Sequence, residues 1–375
     1  MTISAPKLFQ PFSLGKLALK HRIVMSPLTR YRATRLTHVP INPMVKTYYA
    51  QRSNTPGTLI VTEATLIAAK AGGFVNVPGI WSQEQIQAWK EITDAVHANG
   101  SHIFVQLWAL GRTAHSEELH EEDPSLEYIA PSPIPLSNRT EVPRKLTVPE
   151  IKEFVELFAQ AARNAIAAGF DGVEIHNANG YLPDQFLKEI SNQRTDEYGG
   201  SIENRSRFTL EVSEAVVNAI GEEKTGIRLS PWGVFQDMKI EDPIPQFSYL
   251  VQKLKERFPN FAYLHVIEPV ASGPEYADKS NDFLRKIWHP KPFISASNHT
   301  RESAVKAARE KDDLVAFGRL FIANPDLPTR LRHDLSLNEP DHKTFYTHGD
   351  APVGYTDYPF AGGEQGKGHL DSTQN

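Results

Sequence analysis

The sequence predicts an α/β fold, a single (β/α)8 TIM barrel, and three observations carry that expectation. Short β-branched or apolar runs alternate with helix-patterned segments eight times. No Gly/Ser linker, charge block or low-complexity tract interrupts the 375 residues ahead of the polar C-terminal tail, so one domain over 1–375 is expected. No Gly-rich nucleotide turn follows the first strand, as an open doubly wound sheet would normally show. That strand runs instead into Pro27-Leu28-Thr29-Arg30. Eight right-handed crossovers then close on themselves.

Taken in order, residues 8–21 read as an N-terminal β-hairpin that plugs the bottom of the barrel. Strands follow at 23–26, 59–62, 102–107, 172–176, 226–230, 262–266, 292–296 and 314–318. Helical patterns lie around 43–52, 84–98, 150–168, 204–219, 244–257, 281–288, 300–310 and 326–335. Residues 109–148, rich in Pro and charge, form a long loop after strand 3. A connection of that length is usually functional or a lid. The tail 362–375 is polar and Gly-rich and is expected to be disordered.

Composition removes several classes of function. The formal charge of −5 is spread along the chain without a basic stripe, so nucleic acid is not an expected partner. No apolar stretch approaches the ~18–20 residues that span a bilayer, and the first residues lack a signal-peptide core or an Arg-rich transit pattern. No membrane association and a cytoplasmic location are therefore expected. There is no cysteine, which excludes disulfides, thiolate metal sites, iron–sulfur clusters and a Cys nucleophile. No metal is expected. The sequons at Asn138 and Asn298 are expected to stay unmodified without a secretory signal.

In such a barrel the chemistry sits at the C-terminal ends of the strands. Strand 1 leads into Pro27 and Thr29, strand 2 into Ala64, and strand 3 ends on Gln106 and Trp108. Strand 4 ends on His176, with Asn179 and Tyr181 close behind. Strand 5 carries Arg228, strand 7 is followed by Ser297 and Asn298, and strand 8 by Gly318 and Arg319. This set suits a bound flavin. Gln106 offers donor and acceptor to the pyrimidine edge of the ring. Arg228 would stabilise the charge that develops at N1–C2=O on reduction, and Thr29 could donate to O4. A phosphate would sit on backbone N–H groups after strands 7 and 8, with Arg319 as counter-charge. Each residue alone also fits a satisfied core or surface group; Arg228, for one, could pair with a core carboxylate.

The run His176-Asn177-Ala178-Asn179-Gly180-Tyr181 sets polar side chains three and five residues apart around a glycine. His176 and Asn179 both supply N–H donors for a carbonyl or nitro oxygen. Polarising that oxygen makes the β-carbon electrophilic toward hydride from flavin N5, and Tyr181 can protonate the α-carbon as general acid. On spacing alone, a His and an Asn capping the next turn, with Tyr181 packed in the core, is an equal alternative.

The segment from Gly172 through Leu182, continued by Asp184-Gln185-Phe186-Leu187, closely resembles the old yellow enzyme family, and so does Arg194-Thr195-Asp196-Glu197-Tyr198-Gly199-Gly200-Ser201-Ile202-Glu203-Asn204-Arg205. Ser26-Pro27-Leu28-Thr29-Arg30, Arg228-Leu229-Ser230-Pro231, Gly318-Arg319-Leu320-Phe321 and Asp357-Tyr358-Pro359 extend the resemblance over most of the chain. The resemblance implies an FMN-containing barrel that oxidises NADPH, in preference to NADH, and then reduces an activated alkene in a ping-pong cycle. It implies flavin contacts for Pro27, Thr29, Ala64, Gln106 and Arg228, and phosphate contacts for Ser297, Asn298, Gly318 and Arg319. It further implies a substrate-oxygen pair in His176 and Asn179, proton donation by Tyr181, and substrate-pocket roles for Trp108, Phe235 and Tyr346. Enones, enals, nitroalkenes and phenolic ligands are the implied small-molecule partners; a homodimer is allowed but not specified.

The sequence is especially similar to the fungal branch, in which Tyr at the donor position goes with reduction and Phe with an isomerase-like outcome. Ala64 and Ser297 stand where many relatives carry Gly, and the stretch 268–278 is short beside the yeast-type enzymes. The competing readings are a lyase or isomerase using the same phosphate site, and a flavin-binding protein without turnover.

Overall fold

The computed structural model describes residues 5–362. The expected disordered tail therefore lies, beyond Gly362, outside the described residues. Eight parallel strands close into a barrel. They are β1 (Ile23–Met25), β2 (Leu59–Leu66), β3 (His102–Trp108), β4 (Gly172–Asn177), β5 (Thr225–Leu229), β6 (Tyr263–Ile267), β7 (Phe293–Ala296) and β8 (Leu314–Phe317). Each expected strand is present within a few residues of its expected bounds; β2 is the longest because an irregularity between Val61 and Ala64 carries it on to Leu66. The surrounding helices are α1 (Met44–Arg52), α2 (Gln83–Ala98), α3 (Val148–Ala167), α4 (Ile202–Ile220), α5 (Ile244–Arg257), α6 (Asp282–Trp288), α7 (Arg301–Lys311) and α8 (Leu327–His333).

Strand parity explains both faces of the barrel wall. In β3 the residues Ile103, Val105 and Leu107 pack into the outer core under the helices, and in β4 Val173 and Ile175 do the same. Phe104 faces the inner core with Val24, Leu59, Val61, Tyr263, Ile294 and Leu314. Two glycines make room for the inner aromatics. A Cβ on Gly172 would lie 2.5 Å from Phe104 Cζ, and one on Gly226 would lie 2.5 Å from the Tyr263 ring. Large and small side chains thus alternate to fill the lower barrel.

The hairpin Phe12–Leu14 and Leu17–Leu19 closes the N-terminal end of the barrel, its Leu14 and Leu19 joining that inner core. Each buried leucine contributes about 1.5–3 kcal/mol of transfer free energy. The hairpin is shorter than 8–21, because Lys7–Phe9 form a 3-10 turn instead.

Helix starts follow from their caps. Ser82 and Gln85 form a capping box on α2, Thr147 and Glu150 on α3, and Thr300 and Ser303 on α7. The stretch 109–148 is not one irregular loop. It holds a helix at Ser116–Glu122 and two short paired strands at Ile129–Ala130 and Arg144–Lys145. Arg194 anchors it, donating to Pro131 O at 2.9 Å and Leu146 O at 2.6 Å while holding Asp196 with two bonds. The start of the Arg194–Arg205 run thereby pins the excursion at Pro131 and Leu146.

The chain beyond α8 returns over the mouth. Arg30 donates to Phe345 O at 3.0 Å and Gly354 O at 2.7 Å, and Arg52 to Tyr355 O at 3.0 Å. Among the described residues no helix is long and apolar enough to cross a membrane.

Candidate active site

Two adjoining cavities open at the C-terminal ends of the strands, and every expected site residue lines one or both. The first, of about 510 Å³, is bordered by Thr29, Ala64, Gln106, Trp108, His176, Asn179, Tyr181, Phe235 and Tyr346. The second, of about 460 Å³, is bordered by Ser297, Asn298 and Gly318. Pro27, Arg228 and Arg319 line both and so join them into one elongated hollow.

Beneath the hollow lies a polar layer. Gln106 Nε2 donates to Glu174 Oε1 at 2.7 Å, and His265 Nδ1 meets Glu174 Oε2 at 2.8 Å. Burial pushes the Glu174 carboxyl up, but His265, Arg228 and Gln106 outweigh it and hold it below its ordinary value. Arg228 donates to Ser26 Oγ at 3.3 Å. Burial lowers its guanidinium below the usual arginine value, opposed by the negative charge of Glu174. The core-carboxylate alternative for Arg228 is thus met in part, through Glu174, although the two form no direct ion pair within bonding distance among the described residues.

His176 is buried, and burial, with Arg228 and His265 adding to it, drives its pKa well below 6.5. The ring is neutral at physiological pH and carries one N–H. Its Nδ1, Trp108 Nε1 and Arg228 Nε are buried without a protein partner among the described residues. Buried polar atoms of cavity-lining residues left without a protein partner leave hydrogen-bonding capacity that a polar ligand can satisfy.

The loop after β4 is held tightly. Asn179 has φ of +59° and Gly180 +79°, both left-handed. Asn179 N donates to Ser230 Oγ at 2.8 Å and Gly180 N to Asp184 Oδ2 at 2.9 Å. Gln185 Nε2 donates to Gly180 O at 2.7 Å. The helix that follows, Leu182–Leu187, takes no side-chain cap. His176 and Asn179 are therefore free of the capping role that spacing alone allowed. Tyr181 packs against Trp108 and His176, and burial raises its phenol well above its ordinary value, with Tyr31 adding to it and Gln236 opposing.

Phe235 and Tyr346 stand at the rim, 63% and 66% exposed. The same cavity is lined by Tyr31, Phe74, Gln236, Ile322 and Phe345, which sequence reading missed. Gln236 and Phe345 adjoin Phe235 and Tyr346, and Ile322 lies in the short helix Arg319–Ala323. Tyr31 directly follows the Ser26–Arg30 run, and that adjacency is the one signal that could have found it. Among the described residues no group of three or more His, Cys, Asp or Glu is placed to hold a metal.

A family model described as NADH:flavin oxidoreductase / NADH oxidase family matches residues 7–338. The chain is 49% identical over 362 residues to the chanoclavine-I aldehyde reductase fgaOx3 of Penicillium roqueforti, covering 95% of this chain and 96% of that one. It is 48% identical over 370 residues to the NADP-dependent oxidoreductase lnbE of Aspergillus flavus, with 95% and 96% covered. A solved structure of morphinone reductase in complex with tetrahydroNAD superposes with a TM-score of 0.86 at 41% identity, covering 94% of this chain and 97% of that one. The match runs from the hairpin past the last barrel strand, and the chain therefore belongs to the NADH:flavin oxidoreductase / NADH oxidase family, the old yellow enzymes, as an oxidoreductase working with FMN and a nicotinamide reductant.

Proposed function

We propose that this enzyme uses NADPH to reduce carbon–carbon double bonds conjugated to a carbonyl or nitro group, in a ping-pong cycle. The observation that carries the proposal is the placement of His176, Asn179 and Tyr181 on one cavity wall beside Gln106 and Arg228. The donor set fits FMN. The hollow is elongated, and its wall carries Gln106, Thr29 and the unpaired Nε of Arg228 for a ring system. Beyond Arg228 it reaches Ser297, Asn298, Gly318 and Arg319, where loop N–H groups and one guanidinium would receive a phosphate. Bound there, FMN would supply two-electron chemistry, accepting hydride from the nicotinamide and passing it to the β-carbon of the alkene.

The chain's own residues do the rest. His176, being neutral, and Asn179 would donate to the substrate oxygen and stabilise the negative charge that builds there as hydride arrives. Tyr181, fully protonated at neutral pH because burial raises its pKa, would place its proton on the α-carbon. The product is the saturated carbonyl or nitro compound, and the phenolate left on Tyr181 recovers its proton from solvent. Trp108, Phe235 and Tyr346 would shape the pocket around the alkene. The names of relatives point the same way, one to an aldehyde and another to morphinone. A cytoplasmic location accompanies this reading.

The test is anaerobic stopped-flow on NADPH-reduced enzyme with a panel of enones, enals and nitroalkenes. Rapid flavin reoxidation by at least one class is expected. A yellow protein that NADPH bleaches but no activated alkene reoxidises would instead mark a binding protein without alkene turnover.

A further inference from the structure

Glu174 lies in the middle of the barrel wall, fully buried, directly opposite Gln106 on β3 and Gly226 on β5 in the parallel register. A buried carboxylate is costly, and replacing one by apolar packing is often neutral or stabilising. Both of its oxygens are taken, one by Gln106 Nε2 at 2.7 Å and one by His265 Nδ1 at 2.8 Å. An ionised carboxylate only accepts hydrogen bonds. The amide nitrogen of Gln106 must therefore face Glu174, leaving its carbonyl oxygen and second N–H for the cavity that Gln106 lines. His265 is tied in the same way. Burial keeps its ring neutral, so its single proton sits on Nδ1, toward Glu174.

From this arrangement we propose that Glu174 is a positioning residue, which orients the Gln106 amide and offsets the charge of Arg228 so that both meet the FMN ring correctly. The assignment rests on the functional reading above. An imide edge, with one donor flanked by acceptors, is complementary to an amide offering one C=O and one N–H. A flipped amide at the same position would set its N–H against the imide N–H and its C=O against an imide carbonyl. Glu174 holds the amide against that flip. Its negative charge also opposes Arg228, so the local field on the cofactor is less positive than Arg228 alone would make it.

The test uses Glu174→Gln, which keeps size and hydrogen-bonding capacity but loses the charge and the acceptor-only character. FMN affinity is measured by titrating apoprotein and following flavin fluorescence, and the midpoint potential by dye equilibration. Apoprotein thermal unfolding reports whether the fold is kept. In Glu174→Gln the affinity is expected to fall about tenfold, the worth of one well-placed hydrogen bond. The potential is expected to move positive, because the more negative reduced cofactor faces a less opposed Arg228. In a Gln106→Leu background the same substitution should no longer weaken binding, since no amide is left to orient, yet should still shift the potential.

Unchanged affinity and potential in Glu174→Gln overturn the assignment. So does an affinity loss that persists in full without Gln106 while the potential stays put, which marks general loosening. A wild-type chain that takes up no FMN overturns the functional reading and this assignment together; wild-type binding with an indifferent Glu174→Gln overturns only the assignment.

Discussion

The ring of Tyr181 stands edge-on to Trp108, with centroids 5.0 Å apart and planes at 88°, and its centroid lies 4.8 Å from that of His176. Contacts with two neighbouring rings restrict the phenol, which lines the cavity. A general acid held in this way needs no reorganisation when the α-carbon requires its proton.

Tyr181→Phe therefore keeps the packing and removes only the proton. Flavin reoxidation by an enone should slow by about 10²–10⁴-fold, while flavin reduction by NADPH keeps its wild-type rate. Stopped-flow on each half-reaction separates the two. An unchanged reoxidation rate would falsify the role given to Tyr181.

Phenols should bind where the substrate oxygen binds, since a phenolate resembles the developing enolate. A para-substituted phenol is expected to give a long-wavelength charge-transfer band. Asn179→Ala should weaken its binding by roughly tenfold or more, the cost of one donor to a charged acceptor. An identical band at identical phenol concentration in the variant places the oxygen elsewhere.

Gly180→Ala should reach the same chemistry through the backbone. At φ of +79° a Cβ is strained, and it would lie 2.8 Å from Met238 Cγ and 2.9 Å from Gln236 Cβ. The substitution should cost about 1–2 kcal/mol of stability and displace Asn179 and Tyr181. Reoxidation should fall more than FMN affinity does. Equal losses of both would point to collapse of the whole mouth.

Arg30 ties the returning chain to the barrel through Phe345 O and Gly354 O. Arg30→Lys keeps the charge but not the fork that reaches both carbonyls. Loss of one such bond to a charged donor costs about 1.5–3 kcal/mol. Limited proteolysis should then cut near Tyr346 faster than in wild type, with KM for bulky enones altered. Wild-type cleavage would show that the tether lies elsewhere.

Acid should destabilise the fold. Burial holds His21 and His299 at about 4, against 6.5 for a free histidine. The unfolded chain binds these protons first as pH falls below 6.5, so stability is lost between that pH and about 4. Each histidine contributes up to roughly 3 kcal/mol of that loss. The thermal midpoint should fall over this window and fall less in His21→Gln, which does not titrate. Equal slopes in the two proteins would remove His21 from the account.

The barrel was legible because parallel strands are buried on both faces and read as short continuous apolar runs between capped, amphipathic helices. The pieces inside 109–148 were not. Strands of two residues carry no alternation to register, and the helix Ser116–Glu122 is polar along most of its length; what holds these pieces comes from elsewhere in the chain, Arg194 at Pro131 and Leu146, and Arg35 and His38 at Glu121 and Glu122. The expected site residues all reached one hollow because strand ends are where this architecture gathers side chains. Glu174 lay in plain view within the most specific motif, yet its meaning depends on standing across from Gln106. Register between β3 and β4 is a relation of two segments, which neither segment displays by itself. Phe74 was hidden for the same reason, since it meets Trp108 only after the chain has folded.

The hairpin under the barrel has a kinetic corollary. Leu14 and Leu19 belong to the inner core that fills the lower barrel, so the two cavities of the site lie together above it at the strand ends. Reductant, alkene and product then queue for one threshold. Excess of any one of them should hold the others outside, so that each acts as a competitive inhibitor of the next.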